Sequence, residues 1–198
     1  VIGREKEQKN MVFPVPFLQS VEGWPVEWNP AFKKKENQEI FFDAKKALAN
    51  HLQRITYILD SKMVSKLRKL HIRIDLNHSL GNMQYHPNKK WLINNKHDPH
   101  LEKRVHVPRA ESLLSRDQWA KHPYVILHEL AHSYHDQVLG FGHKGIISAY
   151  NRSEKAGLYE RVLLFRGGKT RHYARTNHKE FFAEMTESYL GVNDFYPF

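Results

Sequence analysis

The residues best suited to chemistry are His128 and His132, four positions apart, with Glu129 directly after the first histidine. Residues four apart on an α-helix lie on one face, about 6 Å apart along the axis, so both imidazoles can reach one metal ion. Glu129 is rotated by about 100° from His128, so we expect it to contact a water on the metal and not the metal itself. This pattern is typical of hydrolysis by a zinc-bound water whose proton the glutamate takes.

The surrounding residues are apolar and predict that the motif lies on a partly buried helix. This helix is expected to begin at about Asp117 or Pro123 and to run to Val138, with Gly140 as its stop. Two imidazoles and a carboxylate on such a helix would be costly without a metal or polar partners. We therefore predict one catalytic Zn²⁺ held by the two histidines.

A catalytic zinc needs a third protein ligand, and several residues downstream are candidates. His135 shares the helix face of the motif, but three ligands along one rigid helix would splay too far for a tetrahedron. His143 lies in a Gly-His-Lys-Gly segment similar to the third histidine of SprT-like DNA-dependent proteases. Glu154 lies about where a thermolysin-like enzyme has its glutamate, without the flanking pattern of that family.

Two further candidates, Glu180 and Glu184, lie one turn apart on a predicted last helix from Asn177 to about Leu190. One of them could bind the metal while the other accepts a hydrogen bond from a ligand histidine. Asn177 and Glu180 also have the spacing of a capping box, in which the glutamate only satisfies the backbone N–H of the cap. From spacing alone, the cap and the ligand interpretations are about equally favoured.

The segment from Tyr173 to Glu184, which contains the run Glu-Phe-Phe-Ala-Glu, resembles the catalytic domain of anthrax lethal factor and its relatives, a gluzincin family. The resemblance covers about residues 125–190. It implies Glu180 as the third zinc ligand and Tyr173 as the donor to the developing oxyanion. Asp136 matches an acidic position of the family.

Two consequences follow from this resemblance. Glu184 becomes the expected acceptor for a ligand histidine, and Asp136 joins it as a residue supporting the site. Ala174 stands where the family has a glycine, and residues 1–120 offer no alignment. The resemblance therefore implies the fold of the family for this chain, but it implies no substrate preference.

The remaining elements follow from periodicity and turn residues, and they predict an α+β fold. Prolines exclude a long helix from residues 1–40. The other predicted elements are a hairpin at 17–28, helices at 41–59 and 64–70, strands at 71–76, 83–86 and 104–107, a loop at 94–103 and a hairpin at 161–173.

We expect one zincin-like metallopeptidase domain over residues 1–198, with a small mixed sheet packed on the active-site helix and a C-terminal helical lobe. Residues 1–118 would form the N-terminal helix and sheet part. Residues 119–198 would hold the metal-site helix, the hairpin and the glutamate helix. The strand at 104–107, just upstream of the metal helix, is expected to be the sheet edge against which an extended peptide substrate binds.

Composition limits the partners. The net charge is +10, but the basic residues form short groups without interleaved aromatics, so we do not expect nucleic-acid binding. No run is long and apolar enough for a membrane span. The chain lacks cysteine, which is compatible with the cytosol and with secretion, and a secreted or extracytoplasmic location is slightly favoured. It begins at Val1 without a leader, so we expect a processed or trimmed chain, monomeric by default.

The sequence thus favours a zinc-dependent endopeptidase acting on peptides or proteins. Two alternatives stay open. One is a SprT-like DNA-associated zinc protease, or a nucleic-acid binder, that uses the basic surface and His143. The other is a catalytically silent zinc module that recognises a partner.

Overall fold

A computed structural model describes residues 12–198. Residues 1–11, which belong to the stretch expected to lack a long helix, lie outside the described residues. From residue 12 to 37 that expectation is confirmed, because the chain forms two strands and short 3₁₀ turns there. The strands are β1 (Phe17–Val21), β2 (Trp24–Trp28), β3 (His71–Ile74), β4 (Gln84–Tyr85), β5 (Arg104–Val107), β6 (Val162–Leu163) and β7 (Lys169–Thr170).

Helices make up most of the rest of the described chain. They are α1 (Gln38–Ile58), α2 (Ser61–Leu67), α3 (Lys89–Asn94), α4 (Arg116–Lys121), α5 (Val125–Tyr134), α6 (Lys144–Lys155) and α7 (His178–Leu190). A π-helical turn, His135–Leu139, follows α5 directly. The chain is therefore a mixed α+β protein with a small sheet, and this part of the predicted fold class is confirmed. None of the helices in the described residues is long and apolar enough to cross a membrane.

Five strands form one mixed sheet in the order β1-β2-β3-β5-β4. The hairpin β1–β2 is antiparallel, β2, β3 and β5 run parallel, and β4 is antiparallel to β5. The predicted peptide-binding edge at 104–107 is therefore wrong, because β5 lies between two other strands. The free edge on this side is β4, whose pairing with β5 depends on residues distant in sequence. Strand periodicity reports which face is buried but not which strand is outermost.

One face of the sheet is apolar and packs against α1 and α5. In β2 the residues Trp24, Val26 and Trp28 are fully buried and alternate with partly exposed neighbours. Leu48 on α1 and Ile126 on α5 are also fully buried and belong to the same contiguous cluster. The helix that carries the metal-site motif is thus fixed to the sheet by the main core.

The other face of the central strands carries a buried polar chain. Asp75, just after β3, accepts from Arg73 at 3.1 Å and contacts His106 Nε2 on β5 at 2.9 Å. His106 Nδ1 in turn lies 3.0 Å from Nε2 of His86, the residue directly after β4. These directional contacts connect β3, β5 and β4, and they hold the edge strand although it is only two residues long.

The helix predicted from about Asp117 or Pro123 to Val138 is in fact three segments, and the later of the two starts is closer to the beginning of α5. His122 precedes Pro123 and leaves the helical region, as residues before proline tend to do, so α4 and α5 are separate. After Tyr134 the helix widens into the π-helical turn, and this turn ends at Gly140, whose φ is +79°. The sequence analysis did not predict α6, which begins two residues after Gly142 with His143 as its N-cap.

Candidate metal centre

The motif residues lie on α5, where the core fixes the helix and leaves one side facing a cleft. His128 and His132 are only partly buried, and their rings meet edge to face with centroids 4.8 Å apart. The two Nε2 atoms are 3.1 Å apart. The four-residue spacing therefore brings both imidazoles to one point, as the sequence predicted.

Glu180 comes to the same point from the first turn of α7. Its Oε2 lies 3.1 Å from His132 Nε2 and 3.5 Å from His128 Nε2. Asn177 does cap the helix, since its side chain accepts from the N–H groups of Lys179 and Glu180. The Glu180 carboxylate, however, is directed at the histidines. The capping role thus belongs to Asn177, and the side chain of Glu180 is available as a ligand.

The three donor atoms fit a metal ion. In a tetrahedral zinc site with bonds of about 2.0–2.2 Å, neighbouring ligand atoms lie roughly 3.3–3.6 Å apart. The observed separations of 3.1, 3.1 and 3.5 Å are within a few tenths of an ångström of such a triangle. Two nitrogens and one carboxylate oxygen are also a donor set that catalytic zinc uses. His128, His132 and Glu180 could therefore hold a metal ion.

Glu187, which the sequence analysis did not single out, contacts the Nδ1 side of His128, away from the other donors. Its Oε2 lies 3.0 Å from His128 Nδ1, and its side chain is almost completely buried. An Nδ1–H that donates to Glu187 leaves the lone pair of Nε2 for a metal. Burial lowers the pKa of His128, but its hydrogen bonds to Glu180 and Glu187 raise it well above the ordinary value.

Glu184 lies in the same buried pocket but makes the longer contact. Its Oε1 is 3.7 Å from His128 Nδ1, and Asn193 donates to its Oε2 at 2.8 Å. Burial raises the pKa of Glu184 to about 8. Glu180, Glu184 and Glu187 are spaced four and three apart, so they share one helix face. That spacing was the signal in the sequence that could have identified Glu187.

Replacing Glu187 by Gln is expected to weaken zinc binding by about 10–100-fold, the usual effect of removing a carboxylate that orients a ligand histidine. The amide keeps the shape and can accept the Nδ1–H, but it lacks the charge that makes the imidazole a better ligand. Competition with a chromophoric chelator measures the affinity. Glu39→Gln, an exposed position on α1, is the matched control. An affinity equal to that of the wild type would contradict this role for Glu187.

Glu129 is buried beside the three donors and faces the sheet edge. The backbone N–H of Tyr85, on β4, lies near its carboxylate. Burial raises the pKa of Glu129, and the nearby histidines oppose this shift only in part. A carboxylate with a raised pKa next to a candidate metal centre is suited to accept a proton at neutral pH.

Three alternative ligands of the sequence analysis are engaged elsewhere. His135 is fully buried against Phe141 and Phe182, and burial lowers its pKa to about 4. The side chain of His143 caps α6 by accepting from the Ile146 N–H. Glu154 forms an ion pair with Arg175 at 3.0 Å. Within the described residues, none of the three belongs to the group of converging donor atoms.

Asp136 lies one layer further from the donors. It accepts a hydrogen bond of 2.7 Å from the Tyr85 hydroxyl and pairs with the ammonium of Lys103. Asp136 is therefore connected to Glu129 through Tyr85, whose backbone N–H lies near the Glu129 carboxylate, and it does not contact a ligand histidine.

Tyr173 lies on a 3₁₀ turn that leads into α7, and half of its side chain is exposed to the cleft. Partial burial raises the pKa of its phenol, and the charge of Glu180 raises it further. The hydroxyl therefore stays protonated at neutral pH and can donate a hydrogen bond. His172 is the N-cap of this turn. Its Nδ1 accepts a hydrogen bond from the Ala174 N–H and fixes the backbone there.

One cleft of about 850 Å³ is lined by the three donor residues and by two further site residues: His128, His132, Glu180, Glu129 and Tyr173. The lining also includes the segment 81–85, which ends in the edge strand β4, and parts of the β6–β7 hairpin with Phe195. The metal-site residues are buried or partly buried, and we call this inner part of the lining the floor. The volume is within the range of ligand-binding clefts, about 300–1,000 Å³.

No protein-family model, no curated protein and no solved structure matches the chain. The fold and the site therefore define the class directly, as an α+β protein with a candidate metal centre of two histidines and one glutamate at the floor of a cleft.

Proposed function

We propose that the protein is a zinc-dependent endopeptidase of the gluzincin type, with a zincin-like fold similar to that of the lethal-factor catalytic domain. One observation carries the proposal. Two histidines from α5 and a glutamate from α7 converge at the separations of a tetrahedral site, with a second, buried glutamate at its side. This combination supplies three ligands and a base in one cleft.

Each side chain has a definite task in this proposal. When bound, zinc lowers the pKa of a coordinated water towards 7 and polarises the carbonyl of the scissile bond. Glu129 accepts the proton of the attacking water on its carboxylate and passes it to the nitrogen of the leaving amine. The Tyr173 hydroxyl donates to the oxygen of the tetrahedral intermediate. The backbone groups of β4 pair with an extended peptide.

A phenylalanine at position 173 is expected to lower kcat by about 10²–10³-fold, with little change in KM, because only the transition state needs this donor. The ring of Phe retains the packing of the tyrosine. Steady-state kinetics on one cleaved peptide measure both constants. Tyr189→Phe, at a highly exposed position on α7, is the control and should leave kcat unchanged. Equal kcat values for both variants would remove Tyr173 from the mechanism.

The proposal as a whole is tested with the zinc-loaded protein and a diverse peptide library, read by mass spectrometry. Cleavage at internal peptide bonds that a zinc chelator abolishes, and that added zinc restores, is the expected result. A fully loaded protein that cleaves no peptide would overturn the endopeptidase proposal. It would favour the catalytically silent module, for which the same ligands would serve a structural site.

The DNA-associated alternative has less support. It requires His143 as a ligand, and this side chain caps α6. The described basic residues remain distributed over several elements, which include α2, α3 and α6. An endopeptidase with a basic surface accounts for the same charge.

A further inference from the structure

The charges that line the cleft are separated by depth. The carboxylates at the floor are the buried side chains of Glu129, Glu184 and Asp194 and the partly buried Glu180. Within the described lining, negative charge thus lies at the bottom of the cleft, beside the candidate metal ligands.

The upper part of the lining carries the opposite charge. Lys121 from the end of α4, Arg171 just after β7 and Lys179 from the first turn of α7 all line the cleft. Lys121 and Arg171 are exposed, and Lys179 is partly exposed. Apart from the carboxylates beside the candidate metal ligands, the Lys, Arg, Asp and Glu residues of the described lining are therefore all cations, and the three come from separate segments of the chain.

Contacts within the protein hold two of these cations in place. The Lys179 ammonium lies 4.2 Å from the centroid of the Phe141 ring, a cation–π arrangement at the cleft wall. Arg171 donates from Nη2 to the backbone carbonyl of Arg175 at 2.9 Å. Groups that are held in this way lose less freedom when they bind an anion than free surface side chains do.

We propose that the cleft selects peptides that carry Asp or Glu side chains close to the scissile bond. The inference rests on the proposed endopeptidase function and adds the substrate class. An extended peptide in the cleft has its backbone at the edge strand and the metal site, so its side chains reach the walls where the cations are. Acidic side chains pair there, whereas basic ones meet like charge, which gives both attraction and rejection.

The first arm of the test uses the zinc-loaded wild-type protein. A peptide found in the library is made in isosteric sets in which Asp replaces Asn, or Glu replaces Gln, at each position near the cleaved bond. We expect kcat/KM to be about tenfold higher for peptides with several Asp or Glu residues than for their Asn or Gln counterparts. This difference should shrink as the salt concentration is raised. Equal kcat/KM values across the sets would overturn the proposed selectivity and leave the endopeptidase function intact.

The second arm assigns the selectivity to the three cations. Lys121→Gln, Arg171→Gln and Lys179→Gln should each reduce the preference for acidic peptides by about two- to fivefold, as for exposed ion pairs. Lys66→Gln, exposed on α2, is the control with unchanged preference. Zinc content is measured for each variant, because Lys179 precedes a candidate ligand.

Binding provides a readout that does not need turnover. Acidic and neutral peptides are titrated into the zinc-loaded Glu129→Gln variant, and we expect tighter binding of the acidic ones. The same affinity for both, or a preference that survives removal of all three cations, would contradict the inference. Failure of the wild type to cleave any peptide would instead overturn the proposed function and this substrate class with it.

Discussion

Replacing Glu129 by Gln is expected to lower kcat/KM by roughly 10²–10⁴-fold, the range of a lost general base. Glutamine is isosteric and can keep the contact with the N–H of Tyr85, so the local structure should persist. It cannot accept a proton from water at neutral pH. Peptide cleavage is measured by mass spectrometry of samples quenched at set times, which covers this range of rates.

Zinc binding should not change in the Glu129→Gln variant. Glu129 is not one of the three converging donors, so the variant should bind one zinc ion per chain, as the wild type does. Glu111→Gln, at an exposed position, serves as the control for the loss of a negative charge. Full activity in the Glu129 variant would rule out this residue as the base. Loss of zinc would mean that it acts as a ligand.

Replacing Glu180 by Ala should empty the metal site. The substitution removes the only donor that α7 contributes to the triangle, and two imidazoles alone leave an incomplete coordination shell. The drop in zinc affinity should therefore exceed the roughly 10–100-fold expected for a residue that only orients a ligand. Metal content after dialysis, measured by atomic emission, and peptide cleavage should fall together.

The matched control is His143→Ala, because it tests the rival ligand directly. This variant should retain zinc and activity and lose only some stability, since the side chain caps α6. The reverse pattern, with zinc lost from His143→Ala and kept in Glu180→Ala, would support the DNA-associated type of protease. Far-ultraviolet circular dichroism distinguishes loss of metal from loss of fold, and the Asn177 cap of α7 is intact in both variants.

Local signals in the sequence were sufficient for most elements. The spacing of apolar residues from Phe41 to Leu59 predicted α1 to within three residues at its start and one at its end. The β1–β2 hairpin, β5 and the last helix followed from alternation and turn residues in the same way. These features depend on neighbours in the chain, which is why one sequence reveals them.

Features that depend on distant contacts could not be predicted in this way. The position of β5 inside the sheet follows from its pairing with β3 and β4. Helix α6 was missed because Gly142 and Gly145 surround its start and argue against a helix there. Three-dimensional packing overrides both local signals.

The site shows the same division. The two histidines and Glu129 were found from helix geometry alone, because they lie on one helix. Glu180 needed a family resemblance to be preferred over the capping interpretation. Glu187 was missed although its spacing from Glu184 places it on the same helix face, because spacing alone does not report that this carboxylate is buried against His128.

Strand β4 contacts Glu129, the residue proposed as the base. The backbone N–H of its residue Tyr85 lies near Glu129, and the Tyr85 hydroxyl donates to Asp136. Both contacted residues belong to the chain segment of the metal helix. The residue that follows, His86, ends the buried polar chain through His106 to Asp75. The edge strand therefore works as a spacer of fixed length between sheet and helix. The distance from the base to any peptide paired along that strand is then set by the protein before the peptide arrives.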